Sequence, residues 1–114
     1  MSDVGLEDSY SYLLKLGISE KRLSKTGVGL ALGSSGITVI EMSGAYAALA
    51  NGGTYVEPIS FTHVTDKSGN TVMSAATTQR TEQVYKPSTA YMLIDALTDA
   101  VKSGTGTNAQ ISGM

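Results

Sequence analysis

LALGSSGITVIEMSGAYAALANGG, residues Leu30 to Gly53, is the longest apolar stretch of the chain that is punctuated at both ends. Thr38 is a favourable N-cap and Glu41 follows three residues later, so hydroxyl and carboxylate can each satisfy an orphan backbone amide in a capping box. Ile37 and Met42 stand where a hydrophobic staple forms. From Val39 onward Ile40, Ala47 and Ala50 follow one side of a helix, and Met42, Ala45, Tyr46 and Leu49 widen it to most of the circumference. This pattern predicts a helix buried on several sides. Asn51, Gly52 and Gly53 close it, glycine taking the left-handed position after a helix without a Cβ penalty.

On the N-terminal side, Gly5 to Leu16 reads as a short helix with Leu6, Tyr10, Leu13 and Leu14 at helical spacing and Gly17 as its stop. Ile18 to Gly36 reads as a loop carrying Lys21, Arg22 and Lys25 and then a glycine-rich passage, with a helical turn expected near Ser19 to Leu23. On the C-terminal side, Thr54 to Glu57 is extended and ends at Pro58. Ile59 to Thr65 and Asn70 to Met73 flank Asp66-Lys67-Ser68-Gly69, which predicts a β-hairpin. Gln79 to Tyr85 is a candidate third strand with poor alternation. Pro87 and Ser88 open a last helix in which Ala90, Leu93, Ile94, Leu97 and Val101 line one face and Asp95, Thr98, Asp99 and Lys102 the other. That division predicts one buried face and one wet face, ending at Ser103-Gly104. The fold class expected is α+β, mostly helical with a small β-hairpin.

With 114 residues the chain is one domain or a piece of one. Eight basic and ten acidic residues give a net charge of −2, which offers no electrostatic footprint for nucleic acid or an anionic membrane surface. The absence of cysteine excludes disulfides and thiolate chemistry. Met1-Ser2-Asp3-Val4 starts neither a basic nor an apolar leader, and no run approaches the ~20 apolar residues of a membrane span. The chain reads as soluble and without a targeting signal.

The stretch Leu30 to Phe61, LALGSSGITVIEMSGAYAALANGGTYVEPISF, resembles the segment of bacterial penicillin-binding proteins between their second and third active-site motifs. Ser103-Gly104-Thr105-Gly106-Thr107 and Ile111-Ser112-Gly113-Met114 resemble the approach to the last catalytic strand. The LALG opening and the SGTGT loop are closer to the class A, bifunctional members than to class B, and the resemblance covers most of Leu6 to Met114. It implies that residues 1–114 are a partial transpeptidase domain of the serine β-lactamase-like fold, beginning after the Ser-x-Asn motif and stopping before Lys-Thr-Gly. The parent would cross-link peptidoglycan: a serine attacks the penultimate D-alanyl carbonyl of a stem peptide, D-alanine leaves, and an amine of a neighbouring stem takes the acyl group. β-Lactams would trap that serine. The resemblance also implies a glycosyltransferase domain and an anchor in the bacterial cytoplasmic membrane, with this domain on the outer side.

Acyl transfer in this family needs Ser-x-x-Lys, Ser-x-Asn and Lys-Thr-Gly. None of Lys15, Lys21, Lys25, Lys67, Lys86 and Lys102 has a serine three residues before it; the preceding residues are Tyr12, Ile18, Arg22, Val64, Gln83 and Asp99. Lys25-Thr26-Gly27 spells the third motif, but it precedes LALG and runs into Val28-Gly29, out of family order, and reads as a solvated loop. Ser68-Gly69-Asn70 spells the second motif inside the hairpin turn, where those residues serve the backbone. His63, the single histidine, lacks ligands at metal spacing and reads as a surface residue. Glu7-Asp8 and Asp95 with Asp99 read as solvated helix faces. Gly104-Thr105-Gly106-Thr107 follows a helix instead of opening one, so it reads as a C-cap and not a phosphate cradle. Tyr10 and Tyr46 lie on apolar helix stripes, Tyr91 is on the last helix, and Tyr12, Tyr55 and Tyr85 are scattered, which gives no sugar-binding platform.

No catalytic, cofactor-binding or metal residue is therefore assigned, and the segment is expected to be scaffolding. Its expected partner is the remainder of the transpeptidase domain. Stem peptide and β-lactams would meet the parent only, with no nucleic acid and no membrane span in this chain. In isolation the apolar sides of the central and last helices should lack part of their cover and self-associate. A stand-alone non-catalytic module binding a protein or cell-wall peptide is the alternative, and an unrelated α+β hydrolase would need a nucleophile and base that the sequence does not offer.

Overall fold

The computed structural model describes residues 3–111. The final Ser112-Gly113-Met114 of the family-like approach lies outside the described residues. Helix α1 spans Leu6–Lys15, with Glu7 and Asp8 in its first turn and Lys15 in its last, the polarity the helix dipole favours. It ends in a Schellman motif: Gly17 N donates to Leu14 O and Ile18 N to Leu13 O, at 3.0 and 3.2 Å. Gly17 takes φ 80° there, and a Cβ on it would stand 2.1 Å from Tyr55 Oη, so both backbone and packing require glycine. The expected helical turn is a 3₁₀ turn at Glu20–Arg22.

The passage expected to be loop as far as Gly36 contains a second helix, α2, at Gly27–Ala31. Two glycines in five residues hide it from any propensity reading, and it stands because Thr26 caps it: Thr26 Oγ1 accepts from Gly29 N at 3.2 Å. Lys25-Thr26-Gly27 is thus a helix start and not a plain solvated loop.

Helix α3, Val39–Ala50, carries the expected capping box. Glu41 N donates to Thr38 Oγ1 at 3.2 Å, and Thr38 N donates to Glu41 Oε2 at 3.0 Å. Gly53 N closes the far end on Ala48 O at 2.8 Å. The expectation that α3 is buried on several sides is not met. Its buried residues are Gly44, Ala45 and Ala48, whereas Val39 and Tyr46 are 82% and 55% exposed. Only the stripe of small residues is covered, because small side chains let another element approach the helix backbone closely.

That element is a two-stranded antiparallel ribbon of β1 (Thr54–Val56) and β4 (Thr81–Gln83), with Tyr55 opposite Glu82. The candidate third strand therefore exists but pairs with the extended segment after α3, apart from the hairpin. The hairpin itself is β2 (His63–Thr65) with β3 (Thr71–Ser74), shorter than its pattern predicted and irregular at Val64/Thr65. A short helix α4, Ala75–Thr78, not foreseen in the sequence, joins the ribbons. The core is Leu16, Ala45, Ala48, Tyr55 and Val84, with Tyr85 against it.

Helix α5, Pro87–Ser103, begins with proline at its first position as expected. Its apolar face is only partly covered: Ala90 is buried and Val101 half-buried, Leu93, Ile94 and Leu97 are 39%, 38% and 42% exposed, and Tyr91 and Met92 beside that face are more open still. A 3₁₀ turn at Thr107–Ala109 follows. Among the described residues no helix is long and apolar enough to cross a membrane.

Candidate functional site

The residues that spell active-site motifs are held in two separate turns. Lys25-Thr26-Gly27 opens α2, with Ser24 Oγ and Thr26 Oγ1 3.0 Å apart and Ser24 N donating to Ser35 Oγ at 3.0 Å. Ser68-Gly69-Asn70 lies in the β2–β3 loop around Asp66, whose Oδ1 accepts from Ser68 N at 2.8 Å and from Asn70 N at 2.9 Å. The Asn70 amide is the chief reason the Asp66 carboxyl sits below its usual range, followed by the Asn70 side chain. Both strings are explained by backbone service.

The other residues singled out by sequence are equally ordinary. His63 is exposed in β2 opposite Ser74, and Asp95 and Asp99 lie on exposed positions of α5. No group of three or more His, Asp or Glu that could hold a metal occurs among the described residues. The glycine loop is a C-cap: Gly104 N and Gly106 N both donate to Ala100 O, at 3.1 and 3.0 Å.

Three polar or aromatic junctions hold the elements together. Glu41 is the first. Beyond the capping box it accepts from Ser19 N at 3.1 Å and from Arg22 Nη1 at 3.2 Å, tying the 3₁₀ turn to the start of α3. The Thr38 amide lowers the Glu41 carboxyl most; partial burial opposes, and the Thr38 hydroxyl, Ser19 amide and Arg22 charge add to the lowering. Arg80 is the second: Nη2 donates to Lys15 O at 2.7 Å and to Glu82 Oε2 at 2.9 Å, while its guanidinium lies 5.3 Å from the Tyr55 ring. The third is a stack of Tyr12 on Tyr85, centroids 5.2 Å apart, with Lys15 Nζ 5.2 Å from the Tyr12 ring. Burial raises the Tyr85 phenol, and burial also raises that of Tyr55.

Tyr55, Arg80 and the Tyr12–Tyr85 pair were not visible as a unit in the sequence, because each contact joins elements far apart in the chain. Tyr46, expected in the core, is 55% exposed instead.

What remains is an open apolar surface formed by α3 and α5. One groove, of about 720 Å³, runs along Ile94, Leu97 and Val101 of α5 and is bounded by Ala109, Gln110 and Ile111 beyond it. A smaller hollow of about 230 Å³ lies between Ala45, Tyr46 and Leu49 of α3 and Leu93 and Leu97 of α5. Leu97 borders both. Chemically this surface offers apolar burial and little else.

The described residues thus form an α+β segment with a capped helix, α3, a second helix, α5, open along much of its apolar side, and a glycine connector. The sequence matches the family model described as Penicillin binding protein transpeptidase domain over residues 2–114, and the chain belongs to that family. It is 33% identical over 94% of its length to penicillin-binding protein 1A of Clostridium novyi, and 30% identical over 99% to penicillin-binding protein 1F of Bacillus subtilis. Penicillin-binding protein 4 of B. subtilis is 31% identical over 93% of the chain. The chain spans 12%, 15% and 17% of the length of these relatives, respectively.

Proposed function

We propose that residues 1–114 are a non-catalytic packing segment of a class A penicillin-binding protein, whose whole chain cross-links peptidoglycan stem peptides by serine acyl transfer. In this reading the nucleophile, its lysine and the other catalytic motifs are supplied outside these residues. The segment's partner is the remainder of the transpeptidase domain, which lies on the outer side of the cytoplasmic membrane and is tethered to it elsewhere in the parent.

The observation that carries this reading is the amount of surface left open. A compact protein of this mass exposes about 5,900 Å², whereas this chain exposes 8220 Å². The radius of gyration is 17.4 Å, against roughly 13 Å for a closed domain of this length. An excess of about 2,300 Å² exceeds the roughly 800 Å² that each partner contributes to an ordinary complex, and suits a domain interior cut open. Part of it is the apolar α3 and α5 surface, where a catalytic sheet would lie.

Labelled penicillin tests the reading directly. The isolated chain should take no covalent adduct, and the full-length protein from the same reading frame should take one on a serine outside residues 1–114. An adduct within the 114 residues, or none on the full-length protein, would overturn it. Sedimentation of the isolated chain should show association through α3 and α5 that is reduced by Ile94→Glu with Leu97→Glu. A monodisperse, cooperatively melting monomer would count against the open surface.

A further inference from the structure

At the C-terminal end of α5 the last carbonyls of a helix have no partners within it. Here three of them are satisfied by residues that come after the helix. Ala100 O accepts from Gly104 N and Gly106 N at 3.1 and 3.0 Å. Val101 O and Lys102 O both accept from the side-chain amide of Gln110, whose Nε2 lies 2.8 and 3.1 Å away. Between these anchors the connector makes one 3₁₀ turn, with Ala109 N on Gly106 O at 2.9 Å and Gln110 N on Thr107 O at 3.2 Å.

The glycine amides hold the near end of the connector, and Gln110 is the side chain that brings its far end back onto α5. A single amide reaching eight and nine residues back along the chain fixes where Ile111 departs from the helix. We infer that Gln110 is a positioning residue for acyl transfer, setting the direction in which the chain leaves α5 toward the active-site strand. This rests on the reading that the chain continues from Ile111 into that strand. Gln110 acts through the strand and touches no reacting atom. Without it the far end of the connector has no described hydrogen bond to α5, and small displacements of a reacting group have large kinetic effects.

The test uses the full-length protein with three substitutions. Gln110→Glu is nearly isosteric but replaces the amide donors by an acceptor-only carboxylate facing two carbonyls at the negative end of a helix. Gln110→Ala removes the side chain. Gln110→Lys keeps donors and adds a charge that suits a helix C-terminus. Acylation by labelled penicillin is resolved into its pre-acylation binding and acylation steps, and hydrogen exchange is followed over residues 104–111.

The expected result is an acylation step slowed about 10-fold or more in Gln110→Glu and less in Gln110→Ala, with pre-acylation binding changed by about 2-fold at most. Exchange over 104–111 should rise, and Gln110→Lys should lie near wild type in both readouts. Wild-type rates in Gln110→Glu would overturn the inference. So would a loss shared equally by Gln110→Lys, or one that follows a fall in melting temperature of the whole domain, since either marks a role in stability alone. A wild-type protein that takes no penicillin at all would overturn the transpeptidase reading and with it the link to acyl transfer. In that case the exchange data would still decide whether Gln110 orders the connector.

Discussion

Around Tyr55 the chain is packed as a finished protein, while along α5 it is packed as half of one. Tyr55 is 5% exposed, with Gly17 and Gly44 close against its ring and Arg80 beside it. Tyr91 on α5 is 71% exposed, and its neighbours Met92, Leu93 and Ile94 are exposed as well. Both regions are rich in apolar residues, so hydrophobicity does not separate them. What separates them is whether the covering element lies within these 114 residues. For α3 it does, because β1 follows immediately and brings Tyr55 back onto the small stripe of Gly44, Ala45 and Ala48. For α5 the cover is partial: Leu93 and Leu97 border a hollow against α3, yet they and Ile94 stay exposed.

The comparison breaks first at the tyrosines. Tyr55→Ala removes a buried aromatic from the centre of the core and should cost about 3–5 kcal/mol, enough to unfold so open a chain. Tyr91→Ala should change the stability of the isolated chain by about 0.5 kcal/mol or less. Urea titration followed by circular dichroism measures both. Equal effects would mean that the two regions are equally packed in solution. In the full-length protein Tyr91→Ala should become more costly than in the isolated chain, which is the sharper form of the same contrast.

Much of this contrast was unreadable in the sequence for a physical reason. Caps and stops are local, so Thr38 with Glu41, Gly17 and Pro87 announced the ends of α1, α3 and α5 within four residues of the places where they act. Burial is not local. The spacing of Leu93, Ile94 and Leu97 states that they share a face, and it does not state that anything lies against it. Helix α2 was missed because its stability comes from the Thr26 cap and the neighbouring Ser24 and Ser35, against the propensity of Gly27 and Gly29. Tyr55 was one of several scattered tyrosines until the pairing of β1 with β4 placed it against Gly17. The family resemblance, carried by LALG, the α3 stretch and SGTGT, was legible throughout, and so was the reading of Ser68-Gly69-Asn70 as turn residues, whereas the capping role of Thr26 in Lys25-Thr26-Gly27 was not.

A second contrast lies at the start of α3, where the exposed residues Val39 and Ile40 stand next to an ordered polar junction. Thr38→Ala removes the hydroxyl that accepts from Glu41 N and should cost about 1 kcal/mol. The Glu41 carboxyl is lower in the folded chain than its ordinary value of 4.5. A folded value below the unfolded one means that the contribution is fully present above about pH 5 and is lost as pH falls through the folded value. Stability should therefore drop on acidification below pH 4.5, and Glu41→Gln should flatten that drop. If the slope survives in Glu41→Gln, the carboxylate is not what joins the 3₁₀ turn to α3.

The smallest expected effect is at Asp66, in the ribbon that makes the fewest demands on the rest of the chain. Asp66 Oδ1 gathers the amides of Ser68 and Asn70, and Oδ2 accepts from Asn70 Nδ2 at 3.2 Å. Both strands of this ribbon are exposed apart from the half-buried Ser74, and a two-stranded hairpin is marginal in water, so the loop carries a large share of its local order. Asp66→Ala should raise hydrogen exchange across Val64 to Met73 while leaving exchange at Tyr55 and Ala48 unchanged. The same sign applies as at Glu41: the Asp66 carboxyl is lowered by the amides it binds, so its contribution is present at neutral pH and fades in acid. The ribbon should therefore loosen in acid through Asp66 alone, at a point where Glu41 governs α3 separately. Coupled loosening at Tyr55 would show that the ribbon and the core form one cooperative unit, and the division into a packed and an open region would then have to be redrawn.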